Sequence, residues 1–155
     1  MTEVVLAPTS GVAHPLAQAP DPVFAAEMLG AGIAVEPSPG RATVVAPIDG
    51  QLVKVHPHAF VVAGSDGTAV LVHLGIDTVK LGGEGFEVLR AEQDQVSAGD
   101  GVVAWDAAAI TAQGLSAWVL VCVLDTPAGS IPGPADGSAV SVGEPLLQLP
   151  QGAQG

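Results

Sequence analysis

The chain has 155 residues, 48% of them hydrophobic and only 13% charged, which is enough apolar material for one core of ordinary size. This composition excludes a disordered polyelectrolyte, and no apolar run approaches the roughly 20 residues of a membrane-spanning helix. The 16 acidic residues outnumber the 4 basic ones, giving a formal net charge of −12. We therefore predict no binding to nucleic acid and no direct membrane anchor, because both depend on Lys and Arg near phosphates.

Glycine and proline, with 20 and 13 residues, interrupt the chain too often for a helical bundle. Turn signals recur about every 8 to 12 residues, separated by short apolar or alternating runs, a pattern typical of an all-β protein. We predict an antiparallel β-sandwich or flattened barrel. Its strands include residues 43–46, 52–55, 59–62, 69–73 and 102–105.

Two stretches predict short helices. The first covers residues 22–29, with Asp21 as the N-cap and a proline in the first turn. The second covers residues 106–113, with Asp106 as the cap and Gly114 as the stop.

The chain also resembles itself at two pairs of positions. Residues 7–12 resemble residues 46–51, and residues 96–100 resemble residues 140–144. Each pair is a strand end followed by a turn, so we predict two related halves of one β domain. That single domain spans residues 1–155, with an ordered core at about 4–149 and a frayed tail after Pro150.

Cys122 is the only cysteine and lies in the apolar run 117–124, so we expect a buried thiol without a disulfide. The start, Met1-Thr2-Glu3, lacks the basic segment and apolar run of a signal peptide. Together these features predict a cytoplasmic protein.

Of the four histidines, we expect His14 to lie on the surface, since it precedes Pro15 near the N-terminus. His73 ends an apolar run, and strand alternation places it on one face with Leu71, opposite Val72 and Leu74. A histidine among apolar residues is more often a core residue than a reactive one. Two features favour function here: a second histidine in the preceding strand, which pairing could bring opposite, and an aliphatic setting that keeps imidazole neutral and nucleophilic.

The residues around His73 carry a family resemblance. The run Val72-His73-Leu74-Gly75-Ile76-Asp77-Thr78-Val79-Lys80-Leu81, followed by Gly83-Glu84-Gly85-Phe86, resembles the signature of the glucose-type IIA proteins of the phosphoenolpyruvate-dependent sugar phosphotransferase system. Supporting matches lie at residues 20–25, 32–37, 45–50, 58–60 and 140–145. The resemblance runs from about residue 4 to residue 149.

This resemblance implies a β-sandwich whose shallow apolar site holds two histidines. His73 would accept a phosphoryl group on Nε2 from the phosphohistidine of the carrier HPr, and His58 would support the phosphorylated ring. The group would then pass to a cysteine on the IIB domain of a glucose- or N-acetylglucosamine-type sugar permease. No cofactor is implied.

The resemblance also implies a partner-binding rim around the two histidines. Its positions match Asp21, Val23, Phe24, Met28, Leu71, Asp77 and Val79. The two acids would face basic groups on HPr. One departure is His56, which stands where the enteric members carry a hydroxyl residue, and we expect it to point to solvent. We also expect the chain to lack the membrane-binding N-terminal tail of the enteric proteins.

Two other functions compete with this one. His58 and His73, with Asp77, offer nitrogen and oxygen ligands for a zinc ion, either as a hydrolase centre or as an ion bound incidentally by the two histidines. A catalytic zinc normally takes three protein ligands, which disfavours the hydrolase. A biotinyl or lipoyl carrier would need a lysine at an exposed hairpin tip, whereas Lys54 and Lys80 lie in apolar context. We reject that alternative.

Overall fold

The computed structural model describes residues 4–149, so the predicted fraying after Pro150 lies outside the described residues. The described chain contains thirteen β-strands, numbered in chain order: β1 Val4–Leu6, β2 Gly11–Pro15, β3 Gly30–Pro37, β4 Arg41–Val45, β5 Gly50–His56, β6 Ala59–Ala63, β7 Ala69–Leu74, β8 Phe86–Val88, β9 Gln95–Val96, β10 Gly101–Asp106, β11 Val119–Leu124, β12 Ala139–Val140 and β13 Pro145–Gln148. Each of the predicted strands is present.

The strands form three sheets in which every described pairing is antiparallel. The largest has the order β12-β2-β3-β11-β7-β6-β5-β9, the second the order β4-β10-β8, and the third pairs β1 with β13. The predicted antiparallel sandwich is confirmed, and each sheet has an open strand order.

The main core lies between these sheets. Side chains from all three contribute to it, among them Val5, Phe60, Val72, Trp105 and Val121, each at most 1% exposed. A second, smaller cluster covers the other face of the eight-stranded sheet. It contains Leu16, Ala19, Phe24, Ala34, Ile76, Leu120 and Cys122, with Leu71 and Trp118 packed against it. We call this second group the outer cluster.

Both predicted helices are present, and both are capped as expected. The carboxylate of Asp21 accepts hydrogen bonds from Val23 N and Phe24 N at the start of α1, Pro22–Ala25. The carboxylate of Asp106 does the same for Ala108 N and Ala109 N at the start of α2, Ala107–Ala112. Two short 3₁₀ helices, Leu16–Gln18 and Thr78–Leu81, complete the regular structure.

The predicted length of the first helix is wrong, because α1 ends at Ala25 rather than Leu29. Glu27 takes a left-handed backbone conformation, with φ of 55°, and turns the chain toward β3. Its carboxylate accepts a hydrogen bond of 2.6 Å from the amide of Gly129, more than a hundred residues away. A tertiary contact, which no local residue pattern predicts, therefore ends the helix.

The two halves predicted from the internal repeat are visible in the backbone hydrogen bonds. The amide of Ala7 donates to Glu144 O, and the carbonyl of Ala7 accepts from Gly143 N. At its counterpart Ala46, the amide donates to Asp100 O and the carbonyl accepts from Gly99 N. The repeat therefore reflects an internal symmetry of the fold.

This symmetry predicts equal effects of equivalent substitutions. Gly99 and Gly143 both have positive φ, 97° and 84°, and a Cβ at either position would meet nothing within 4 Å. The cost of alanine is therefore that of the left-handed backbone alone. Gly99→Ala and Gly143→Ala should each lower the free energy of unfolding by about 1–2 kcal/mol in urea titrations. The matched asparagine variants should lose less, because Asn tolerates this conformation, and clearly unequal losses would contradict the equivalence.

Candidate functional site

The site lies on the outer face of the eight-stranded sheet, where β7 presents His73. The side chains of Val70, Val72 and Leu74 point into the main core and are fully buried, while His73 and Leu71 face the opposite way and are half-buried. This confirms the alternation predicted for the strand. His73 thus combines a rigid central strand with access to the outer surface.

One ring nitrogen of His73 is committed to the backbone. Nδ1 lies 2.7 Å from the carbonyl oxygen of Gly75. A carbonyl oxygen only accepts hydrogen bonds, so Nδ1 carries the proton and donates it. In the neutral ring this leaves Nε2 with a free lone pair.

The chain after His73 is shaped to bring that carbonyl back to the ring. Gly75 has φ of 80°, and a Cβ there would collide with the Thr78 methyl group and lie 2.8 Å from Ser116 O. Only glycine therefore fits. The buried hydroxyl of Thr78 donates to Leu74 O at 2.6 Å and fixes the turn from the other side. From the sequence, Gly75 and Thr78 were included only as members of the family signature, and the role of Thr78 in this turn was missed.

His58 lies beside His73, and its position differs slightly from the prediction. It occupies the two-residue turn between β5 and β6, whereas the residue opposite His73 in β6 is Ala59. The carbonyl of His58 accepts from Leu74 N at 2.7 Å, which ties the turn to β7. The two imidazole rings meet edge to face, with centroids 5.3 Å apart and planes inclined by 74°.

The surroundings of both rings favour their neutral forms. Burial lowers the pKa of His73, opposed by the hydrogen bond to Gly75 and by the charges of Asp21 and Asp77. Burial also lowers the pKa of His58, and the neighbouring His73 and His56 add to that effect. A neutral ring with a free Nε2 is a nucleophile at neutral pH.

The predicted rim residues divide into two groups. Val23, Met28 and Val79 are exposed, at 42%, 73% and 60%, although all three are apolar. Phe24 and Leu71 instead pack in the outer cluster, and the Phe24 ring lies 5.2 Å from the His73 ring. Phe24 thus offers a partner little surface and serves as a wall against His73.

The two predicted acidic rim residues also differ from each other. Asp21 is half-buried and its Oδ1 caps α1, so part of its hydrogen-bonding capacity is used locally. Asp77 is exposed and adopts a left-handed backbone with φ of 62°. Both carboxylates act on His73 through their charge.

The other two histidines lie on the same face of the sheet as His73. Register places His14, Ala34, Leu120, His73, Ala59 and His56 in one cross-strand row. His56 is exposed, as predicted, yet its ring stacks on His58 with centroids 5.6 Å apart. His14 is not the free surface residue expected, because its side chain is only 16% exposed and contacts two carboxylates and Trp118.

Comparison with known proteins identifies the family. Residues 3–128 match the model of the phosphoenolpyruvate-dependent sugar phosphotransferase system, EIIA 1. The chain is 37% identical over 128 residues to a glucose-specific EIIA component from Bacillus cereus, covering 81% of this chain and 76% of the relative. It is 46% identical over 105 residues to a mannose-specific EIIBCA component from Corynebacterium glutamicum, covering 66% of this chain and 15% of that relative. The solved structure of glucose permease IIA from Mycoplasma capricolum superposes with a TM-score of 0.79 at 30% identity and covers 93% of both chains.

The chain belongs to the glucose-type EIIA family of the sugar phosphotransferase system. Its general role is therefore in phosphotransfer for sugar transport. No helix in residues 4–149 is long and apolar enough to cross a membrane.

The competing zinc centre finds no support in this EIIA structure. Within residues 4–149, no three His, Cys, Asp or Glu side chains are grouped so that they could hold a metal ion. The zinc hydrolase expected as the alternative would need such a third ligand. Cys122 is no candidate nucleophile, since burial raises the pKa of its thiol to about 12.

The wall formed by Phe24 can be tested through His73. Phe24→Ala should admit water beside the ring and move the His73 pKa upward, toward the ordinary histidine value of about 6.5, because burial is the main cause of its lowering. Proton NMR titration of the ring C–H signals measures this directly. Phe86→Ala, which alters the distant stack on Trp105, should leave the His73 pKa unchanged. An unchanged value in folded Phe24→Ala protein would show that Phe24 does not keep the ring dry.

Proposed function

We propose that this EIIA protein accepts a phosphoryl group from phospho-HPr on Nε2 of His73 and passes it to a cysteine of the IIB domain of a glucose- or N-acetylglucosamine-type permease. The single observation that supports this most is the hydrogen bond from Nδ1 of His73 to the Gly75 carbonyl. It leaves Nε2 as the only ring nitrogen with a free lone pair. We place the protein in the cytoplasm, where both partners would reach it.

The first transfer exchanges one N–P bond for another. The lone pair of His73 Nε2 attacks phosphorus in line, the new N–P bond forms, and the bond to the HPr histidine breaks with its electron pair returning to that nitrogen. Phosphoryl transfer requires positioning and charge stabilisation more than covalent help. The central strand β7 and the Gly75 bond supply the positioning.

In the second transfer, the thiolate of the IIB cysteine attacks phosphorus and the His73–P bond breaks. His58 supports this step in our proposal, because its ring contacts His73 and no hydrogen bond to another described side chain occupies it. A proton on His58 would donate to a phosphoryl oxygen and stabilise the charge in the transition state. The apolar surroundings limit access of water, which would otherwise hydrolyse the phosphohistidine.

Both partners would dock on the exposed apolar side chains beside His73. Val23, Met28 and Val79 form an apolar rim, and Asp21 and Asp77 add negative charge that would attract basic groups on HPr. The Corynebacterium relative is named as an EIIBCA component, and a joined IIB and IIA supports IIB as the acceptor.

Two substitutions separate the two transfer steps. His73→Gln should lose all labelling from phospho-HPr, because it removes the attacking nitrogen. His58→Gln should still be labelled. It should pass phosphate to IIB at least about 100-fold more slowly, since it removes a proton donor. Radiolabelled phosphoenolpyruvate with enzyme I and HPr measures the first step, and purified IIB the second. His14→Gln, which removes a histidine three strands away from His73, is the control. Labelled His73→Gln protein or normal transfer by His58→Gln would overturn the assigned roles.

The docking surface predicts a change in KM rather than in kcat. Val79→Ser should raise the KM for HPr or IIB about fivefold, corresponding to about 1 kcal/mol of apolar contact. Val142→Ser serves as the matched control, because Val142 is also exposed, at 43%, but lies on the turn before β13. Equal KM values for the two variants with both partners would place the docking surface elsewhere.

A further inference from the structure

A second histidine on the sheet is held in an arrangement that the phosphotransfer site does not use. The ring of His14, in β2, has carboxylates at both nitrogens: Nδ1 lies 2.8 Å from Oδ1 of Asp136, and Nε2 lies 2.9 Å from Oε1 of Glu36. The indole of Trp118 stacks on the ring with centroids 4.6 Å apart and planes inclined by only 6°. Three strand spacings of about 4.8 Å place this cluster about 14 Å from His73 along the cross-strand row.

The hydrogen bonds determine the charge of the ring. An ionised carboxylate only accepts hydrogen bonds, so each His14 nitrogen must carry a proton to bond its partner. Only the imidazolium form does so. Stacking on Trp118 favours the same form, because the face of an indole attracts a cation.

The cluster connects three parts of the chain that are distant in sequence. Glu36 comes from β3, and Asp136 comes from residues 125–138, the connector between β11 and β12. A second bond holds the same carboxylate of Asp136, because Gln18 Nε2 donates to its Oδ2 at 2.7 Å. The connector contains no helix or strand, so its Asp136 end is attached by these side-chain contacts and by two backbone bonds, Gly137 N to Ala13 O and Ala13 N to Ser138 O. Its other end is held by the bond from Gly129 N to Glu27 and by Ile131 in the core.

We propose that His14 is a pH-sensitive clamp, which holds the Asp136 end of the connector on the sheet while protonated and releases it when the ring loses a proton. Deprotonation removes one of the two donors and the positive charge together. Glu36 and Asp136 then face each other across a neutral ring as two uncompensated negative charges. The proposal concerns the connector and does not depend on the phosphotransfer role of His73.

The direction of the pH dependence follows from the groups facing His14. These are Glu36 from β3 and Asp136 from the connector; Trp118, which precedes β11, and Gln18, in the first 3₁₀ helix, are uncharged. The hydrogen bonds to both carboxylates raise the pKa of His14, against a smaller opposing effect of burial. A group with a raised pKa in the folded state stabilises fully below its unfolded value, about 6.5, and loses that contribution as pH rises through the folded value. The clamp therefore holds below about pH 6.5 and opens as pH rises through the raised folded-state pKa.

Proton NMR titration of the intact protein tests the charge of the ring. The His14 signals should titrate above the ordinary value of about 6.5. Asp136→Asn, which keeps an acceptor but removes a charge, should lower the His14 pKa relative to the wild type. A wild-type His14 that titrates at or below 6.5 would overturn the proposal, as would an unchanged His14 pKa in Asp136→Asn.

Hydrogen exchange of the connector tests the clamp itself. The amides of Gly137, which donates to Ala13 O, and of Ala13 in β2, which donates to Ser138 O, report on its attachment. Corrected for intrinsic exchange rates, they should lose protection by about three- to tenfold between pH 6 and pH 9. The amide of Val121 in the central strand β11 should show no such loss.

A matched pair of variants separates the clamp from general effects of pH. His14→Gln should exchange quickly at these two amides at every pH, and its connector protection should no longer depend on pH. His56→Gln, which removes an exposed histidine from the same row, should behave like the wild type. If the wild-type connector keeps constant protection across this range, or if His14→Gln retains the wild-type pH dependence, the clamp does not exist.

Discussion

The hydrogen bond between Nδ1 of His73 and the carbonyl of Gly75 constrains the site more than any other contact. A carboxylate or water partner would change with pH or exchange with solvent, whereas a backbone carbonyl accepts under all conditions. The neutral ring is therefore held in one tautomer. This bond requires the chain to reverse directly after β7, which explains the positive φ of Gly75 and the tight contact with Thr78 that only glycine permits. In the proposed function, the attacking nitrogen is thus defined by backbone geometry two residues away.

Placing the histidine on the outer face of the sheet resolves a conflict between reactivity and access. Inside the main core the ring would be neutral but unreachable, and on an open surface it would be reachable but hydrated. The outer cluster provides an intermediate setting. Phe24 and Leu71 shield one side of the ring from water, while Val23 and Val79 remain exposed and accessible to a partner. The short helix α1 makes this possible, since one capped turn places Val23 outward and Phe24 inward. The acids Asp21 and Asp77 oppose the effect of burial on the His73 pKa without reversing it.

Much of this arrangement could be predicted from the sequence, and the remainder has a common physical cause. Strand alternation placed His73 correctly, and the caps at Asp21 and Asp106 followed from local hydrogen bonding. Strand pairing predicted that a histidine of the preceding strand would lie beside His73, and the family resemblance identified it as His58. The end of α1 and the surroundings of His14 depend on partners such as Gly129 and Asp136, which lie more than a hundred residues away in the chain. Local patterns carry no information about such contacts, so the predicted length of α1 was wrong and the partners of His14 were not predicted.

The row of residues across the eight-stranded sheet shows how one side-chain type acquires different properties from its neighbours. His14, His73 and His56 share a face and a register, separated by Ala34, Leu120 and Ala59. At the β2 end, two carboxylates raise the pKa of His14; at the centre, apolar packing lowers that of His73. The strands hold both rings rigidly, and the side chains brought in from loops and from α1 decide which form each ring takes. Leu120 and Ala34 separate the two clusters along the row, and the pKa of His73 is set mainly by its own burial, by Gly75 and by the charges of Asp21 and Asp77. A single sheet face can therefore carry a cationic structural histidine and a nucleophilic one at the same pH.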